Sequence, residues 1–251
     1  MARTDFRMQR LHVAADLATC AQLTATPEQA NYLLNVLRME TGRQVLVFNG
    51  RDGEWLAELS VPRKRLCVLQ VKQQTRPQEG GPDVHYLFAP LKRARLDYLV
   101  EKATEMGVAV LQPVLTQHTQ ADRVNGDRMR ANVIEAAEQC GILRVPEVAA
   151  PVRLDQLLAA WDAARVLVLC DEDAEAANPL DALARVRRAD GTAPPLAVLI
   201  GPEGGFSPPE RETLLRRPFV VRLALGPRIL RADTAAVAAL ALVNAALGDW
   251  R

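Results

Sequence analysis

From Val84 to Leu247 the chain alternates five short apolar runs with five stretches of helical period, and this alternation restricts the fold more than any other feature. The runs Val84–Ala89, Val110–Leu115, Val166–Cys170, Leu196–Ile200 and Val220–Leu225 are nearly continuous in apolar residues. Runs of that length bounded by turn signals read as strands buried on both faces. Helices are expected near Arg95–Met106, Arg128–Cys140, Leu180–Arg188, Pro208–Arg216 and Thr234–Leu247. The first shows its period plainly, with Leu96, Leu99, Val100, Ala103 and Met106 on one face. Strands and helices in this order predict an α/β domain with a mostly parallel sheet covered by helices.

The front of the chain has a different grain. Residues 73–82 are polar, rich in Pro and Gly and without period, so they read as a linker. The expected division is a front module over residues 1–74, a linker over 75–82 and a back domain over 83–251. In the front module Gln44–Asn49, Trp55–Val61 and Leu66–Lys72 read as short strands separated by the turn signals Asn49-Gly50 and Asp52-Gly53. They suggest a small β-barrel. Thr26 as N-cap, Pro27 at the first helical position and apolar Ala30, Leu33, Leu34 and Leu37 predict one amphipathic helix over Pro27–Met39.

Charge narrows the partners. The net charge of +1 predicts nothing by itself, but residues 1–82 hold 11 Lys and Arg against 8 Asp and Glu, whereas the rest is slightly acidic. Arg7, Arg10, Arg38 and the triplet Arg63-Lys64-Arg65 place cations on a compact β module, which suits a phosphate backbone; a solvated basic face is the plainer alternative. Cys20, Cys67, Cys140 and Cys170 show no Cys-x-x-Cys spacing, and His12, His85 and His118 are far apart, so neither a zinc site nor a disulfide framework is expected. No apolar leader or membrane span is evident, and a cytoplasmic protein is expected.

Two loops at the ends of buried-type strands carry the candidate site. Gly201-Pro202-Glu203-Gly204-Gly205-Phe206 follows Leu196–Ile200, and Leu225-Gly226-Pro227-Arg228-Ile229-Leu230-Arg231 follows Val220–Leu225. Open α/β sheets bind ligands at such ends. Three glycines around Glu203 exceed what a simple turn needs, yet the loop is neither a Walker loop nor a dinucleotide fingerprint. Ser207 and Glu210 have capping-box spacing for the helix that follows. Asp233 stands where its carboxylate can cap the last helix, whereas Arg231 has no evident structural task. That helix, Thr234–Leu247, is apolar on nearly every side apart from Asn244, so it should be buried all round, and a second copy of the chain is the economical cover.

Together, Gly201–Phe206, Leu225–Arg231 with Thr234-Ala235, Glu138-Gln139-Cys140-Gly141 and Glu105-Met106-Gly107-Val108 resemble the ribosomal RNA small-subunit methyltransferase E family, and Arg7-x-x-Arg10 and Val36-Leu37-Arg38-Met39 extend the likeness into the front module. The resemblance implies an N-terminal PUA-like barrel for RNA, a C-terminal SPOUT-type α/β domain with a trefoil knot, and a homodimer through that domain. It also implies S-adenosylmethionine as cofactor and methylation of N3 of a uridine in 16S rRNA, within the small ribosomal subunit.

Carried over position by position, the cofactor would lie against Leu169, Ile200, Gly201, Gly204, Gly205, Leu225, Gly226, Ile229 and Leu230. Arg231 would pair with the developing uracil anion while Glu203 or water takes the proton. Arg7, Arg10, Arg38, Lys92 and Arg93 would grip RNA. This chain departs from the family at Tyr32, Asn35, Ile142 and Asp233, the last replacing glutamate. Two other classes stay open on the residues alone: a non-catalytic RNA-binding assembly factor, and an enzyme acting on a free nucleotide.

Overall fold

The computed structural model describes residues 8–63, 66–120, 123–174 and 178–250. Contacts divide the chain into two units, one formed by Met1–Gly80 with Ala137–Val145, the other by Gly81–Ala136 with Pro146–Arg251.

In the first unit the described strands are β1 (Arg10–His12), β2 (Gln22–Thr24), β3 (Gln44–Phe48), β4 (Glu54–Arg63) and β5 (Leu66–Arg76), in sheet order β1-β3-β4-β5-β2. Only the β1–β3 pair is parallel. The two three-residue strands β1 and β2 escape a periodicity reading because three residues show barely one alternation. The strand β5 runs through Arg76, so residues 75 and 76, expected in the linker, belong to the sheet. Polar side chains there mark a solvent-facing strand end.

The expected helix over Pro27–Met39 is shorter and of two kinds. Thr26 and Gln29 form a capping box over α1 (Pro27–Asn31), and Tyr32–Val36 then widen into a π turn closed by Leu37 N–H to the Tyr32 carbonyl. Arg38 ends it at φ +53°.

The segment Ala137–Val145 reaches the first unit through apolar contact and through a motif. Ala137, Leu143, Ile142 and Val145 pack on Phe48. The Glu138 carboxylate accepts the His12 backbone N–H at 2.8 Å, and the Gly141 carbonyl accepts from Arg76 at 2.9 Å. Glu138-Gln139-Cys140-Gly141 thus docks this segment on the sheet, and Ile142, a departure from the family pattern, is absorbed as packing.

The second unit holds β6 (Val84–Phe88), β7 (Val110–Leu115), β8 (Glu147–Val148), β9 (Val152–Arg153), β10 (Val166–Cys170), β11 (Leu196–Ile200) and β12 (Val220–Leu223). All its strand pairs are parallel, in order β12-β10-β11-β6-β7-β8, with β9 also on β7. The helices are α2 (Arg93–Glu105), α3 (Gly126–Cys140), α4 (Leu154–Ala159), α5 (Pro179–Ala184), α6 (Pro208–Leu215) and α7 (Ala232–Leu247), α3 ending in the segment assigned to the first unit. Every residue of β11 is buried, as its unbroken apolar run requires. Leu87, Leu167, Leu169, Ala197 and Leu199 pack with Leu154, Leu158 and Leu214 of the helices on one face.

The last helix buries one face within this chain, and the other is the face expected to be covered by a second copy. Ala235, Ala236, Ala239, Leu240, Val243, Asn244 and Leu247 form the buried face, while Val237, Ala238, Ala241 and Leu242 are half-buried and Ala245 is exposed. Asn244 is buried because its side-chain amide donates to the Met106 carbonyl at 2.8 Å, which ties α7 to the turn after α2. The Asp233 carboxylate caps a first-turn N–H, as expected, though from inside the helix and not from the N-cap position. The N-cap is Arg231, whose carbonyl takes the first helical bond from Ala235, and Asp233 sits in the first turn, accepting from Thr234 N–H at 2.8 Å.

Among the described residues no helix is long and apolar enough to cross a membrane.

Candidate active site

Strands β11, β10 and β12 are neighbours and parallel, so the loops leaving Ile200, Cys170 and Leu223 emerge at one edge of the sheet. This convergence, rather than cavity size, marks the site. Clefts of about 460 and 450 Å³ lie beside α6, and neither includes a residue of the loop after β12.

In the loop after β11 the glycines have distinct physical reasons. A Cβ on Gly201 would stand 2.7 Å from the Phe206 ring, so the ring can fold over the strand end only because no side chain is there. Gly205 turns the chain at φ +71°, the left-handed region that residues with a Cβ avoid, and its N–H closes the turn on the Pro202 carbonyl at 2.8 Å. Glu210 accepts from the Ser207 N–H and hydroxyl at 3.0 and 2.9 Å, as the capping-box spacing requires.

Glu203 is exposed and paired with Arg95 of α2, so its carboxylate already has a cation. On the other flank His118, in the loop after β7, lies on Gly204, with Nδ1 at 3.3 and 3.0 Å from the Gly204 and Gly205 carbonyl oxygens. Sequence reasoning set His118 aside. Its distance from Gly204 along the chain hides the contact, and only the adjacency of the strand ends brings the two together.

The remaining expected cofactor residues divide by burial. Leu169 and Ile200 are buried, so they can offer a ligand backbone rather than side chain. Leu225 and Leu230 are half-buried, Gly226 is exposed with open space where a Cβ would stand, and Ile229 is 88% exposed. An isoleucine left in water is apolar surface that a bound ring could cover. Arg231 is exposed, and among the described residues its guanidinium has no hydrogen-bond or ion-pair partner.

Beneath the site, burial pushes the Cys170 thiol up to about 12, so it stays a neutral thiol and offers no thiolate. Asp171, the next residue, accepts from Arg211 at 3.0 Å and Arg222 at 2.8 Å, which anchors the start of the loop after β10. Tyr86 is fully buried, stacked on Phe88 at 5.1 Å, and its hydroxyl is the one buried side-chain polar atom without a partner among the described residues.

Of the expected RNA cations, Arg38, Lys92 and Arg93 are exposed and without a pairing partner among the described residues. Arg7, Lys64 and Arg65 lie outside the described residues. Arg10 is a correction. Its side chain is 2% exposed and ion-paired at 3.0 Å with equally buried Glu54, so it works inside the sheet and not on RNA.

Residues 79–244 match the RNA methyltransferase domain family and residues 25–72 the RNA methyltransferase PUA domain. A protein of Synechocystis named ribosomal RNA small subunit methyltransferase E is 30% identical over 95% of this chain and 78% of its own length. The chain belongs to the ribosomal RNA small subunit methyltransferase E family. Another member, from Rickettsia conorii, is 27% identical over 95% of this chain and 96% of its own. Among solved structures, Lpg2936 of Legionella pneumophila, solved in complex with the bound cofactor SAM, superposes with a TM-score of 0.84 at 29% identity, covering 97% of this chain and 99% of its own. A ribosomal RNA small subunit methyltransferase E from Neisseria gonorrhoeae shares the fold, with a TM-score of 0.84 at 22% identity over 97% and 100% of the two chains. The family places a PUA domain at the front of this chain and an α/β methyltransferase domain with a parallel sheet behind it.

Proposed function

We propose that this chain transfers a methyl group from S-adenosylmethionine to N3 of a uridine in 16S rRNA. The observation that carries the reading is the convergence of three loops at the ends of β10, β11 and β12, two of them the glycine-bearing motifs of the family. The residues present suit the cofactor: backbone at Leu169, Ile200, Gly201, Gly204, Gly205 and Leu225, open space at Gly226, and apolar cover from Ile229 and Leu230. When bound, S-adenosylmethionine supplies an electrophilic methyl on a sulfonium. Glu203 or a water would take the proton that N3 gives up when it accepts the methyl. The Arg231 guanidinium, without a partner among the described residues and fixed at its backbone by the α7 N-cap, stabilises the charge on the uracil oxygens.

Arg38, Lys92 and Arg93 hold phosphates, which positions the RNA rather than reading its bases. Binding of 16S rRNA should therefore weaken steeply as salt rises, and a flat response would remove this part of the proposal. The five strands of the first unit form the PUA-like barrel in this reading. The chain reaches β12 at the sheet edge, yet α7 returns to pack against α2 and α5, which supports a threaded crossing of the trefoil type. A crystal structure traced through the loops after β10, β11 and β12 checks the threading. The half-exposed apolar face of α7 supports a homodimer; sedimentation as a single chain at micromolar concentration would argue against it. Mass mapping of 16S rRNA nucleosides from cells with and without the protein tests the whole reading. One N3-methyluridine should vanish, and an unchanged map would refute the assignment.

A further inference from the structure

His118 makes contacts that neither the fold nor the proposed chemistry has used. Both atoms facing its Nδ1, the Gly204 and Gly205 oxygens, are carbonyls and can only accept, so the proton must sit on Nδ1 for the contact to be attractive. The contact falls on the most permissive stretch of the loop. Two consecutive glycines have few side-chain contacts to select one conformation, and fixing them costs more backbone entropy than fixing other residues.

The surroundings of His118 are themselves fastened. Thr116 N–H donates to Thr119 Oγ1 at 2.8 Å, and Gln117 N–H donates to Glu210 Oε1 at 2.8 Å, while Oε2 of Glu210 takes Ser207. One edge of the β7 loop therefore grips the start of α6, and His118 reaches from it onto the two glycines just before. On the opposite flank Arg95 holds Glu203. The turn Pro202–Gly205 hangs between these two grips. Because a trans peptide sets N–H opposite C=O, a Gly205 carbonyl drawn to His118 turns the Phe206 N–H to the other side of the loop.

We infer that His118 is a positioning residue of the cofactor loop: its Nδ1–H holds the Gly204 and Gly205 carbonyls and so presets the backbone that receives S-adenosylmethionine. The inference rests on the proposed function. Its energetic meaning is preorganisation, since a loop already ordered gives up less entropy when the ligand arrives.

The test exploits the shape of amide side chains. Asparagine can place an N–H near the position of Nδ1, glutamine one methylene beyond it, and alanine none. S-adenosylmethionine binding to the full chain is measured by calorimetry for the parent and for His118→Asn, His118→Gln and His118→Ala, with thermal melting to confirm that each is folded. His118→Ala and His118→Gln should raise Kd about 3- to 10-fold, the worth of one hydrogen bond. His118→Asn should stay within about twofold of the parent, and kcat at saturating cofactor and RNA should change less than KM for the cofactor. Parent-like binding by His118→Ala overturns the inference, and so does equal impairment of the Asn and Ala variants, which would point to ring packing on Gly204 instead. If the parent chain itself binds no S-adenosylmethionine, the proposed function fails and takes this inference with it.

Discussion

Replacing Arg231 with alanine is expected to lower the rate of methyl transfer about 10²- to 10³-fold, the loss seen when a preorganised partner of a developing anion is removed, while cofactor binding stays within a few-fold of the parent. The two effects separate because Arg231 occupies two roles through different atoms. Its carbonyl receives Ala235 N–H at 2.8 Å and starts α7, a task alanine performs as well. Its guanidinium has no partner among the described residues, so truncation breaks no ion pair and leaves no carboxylate stranded. The neighbouring loop residues proposed to touch the cofactor, Gly226, Ile229 and Leu230, are untouched by the change. Arg231→Lys should recover part of the rate, since the charge remains but the planar fork that can span two oxygens does not. Single-turnover methylation of 16S rRNA alongside calorimetry with S-adenosylmethionine gives both numbers. A near-normal rate, or equal losses of rate and cofactor affinity, would show that this arginine does not face the reacting base. Glu203→Gln is the companion measurement: with Glu203 already paired to Arg95, a small effect assigns the proton to water and a large one to the carboxylate.

How much of this was readable from residues depended on the range of the interactions. Five of the seven strands of the parallel sheet were found within a residue or two because each is nearly continuous in apolar residues, as the wholly buried β11 illustrates, whereas the two-residue β8 and β9 are too short to show a run. The N-cap at Thr26 and the capping box at Ser207 were equally legible, since each is closed within four residues. Where a residue's fate depends on a distant partner, the local pattern misleads. Arg10 looks like a surface cation until Glu54 is placed beside it, and Asn244 looks like a flaw in an apolar helix until the Met106 carbonyl is found. The π turn at Tyr32–Val36 could not be distinguished from an α-helix by apolar spacing, because helical period is read over a window longer than one five-residue turn. His118 is the functional instance of the same limit. Its meaning lies in two carbonyls 86 and 87 residues away, and a carbonyl leaves no signature in a sequence.

The second large effect concerns stability, and it follows from the residue whose expected role the structure reversed. Arg10 and Glu54 are each 2% exposed, with Nε and Oε2 3.0 Å apart. The other Glu54 oxygen accepts the Thr75 hydroxyl at 2.9 Å, and Arg76 stands 3.9 Å away. Two charges taken out of water are tolerated only while each satisfies the other, so removing one leaves the second buried and poorly paired. Arg10→Ala should therefore destabilise the first unit by about 3–5 kcal/mol, far more than an exposed cation would cost. Replacing both partners, as in Arg10→Met with Glu54→Leu, should recover most of the loss, because no stranded charge remains. Arg38→Ala serves as the contrast: an exposed cation without a partner among the described residues should shift stability by no more than about 0.5 kcal/mol. Denaturant unfolding of the four chains supplies the comparison. A loss below about 1 kcal/mol for Arg10→Ala, or no recovery in the double variant, would mean that the pair is not the buried unit its geometry describes. Under the expected outcome, any RNA-binding defect of Arg10→Ala should follow the fraction of protein unfolded, whereas the defect of Arg38→Ala should appear in fully folded protein and shrink as salt is added.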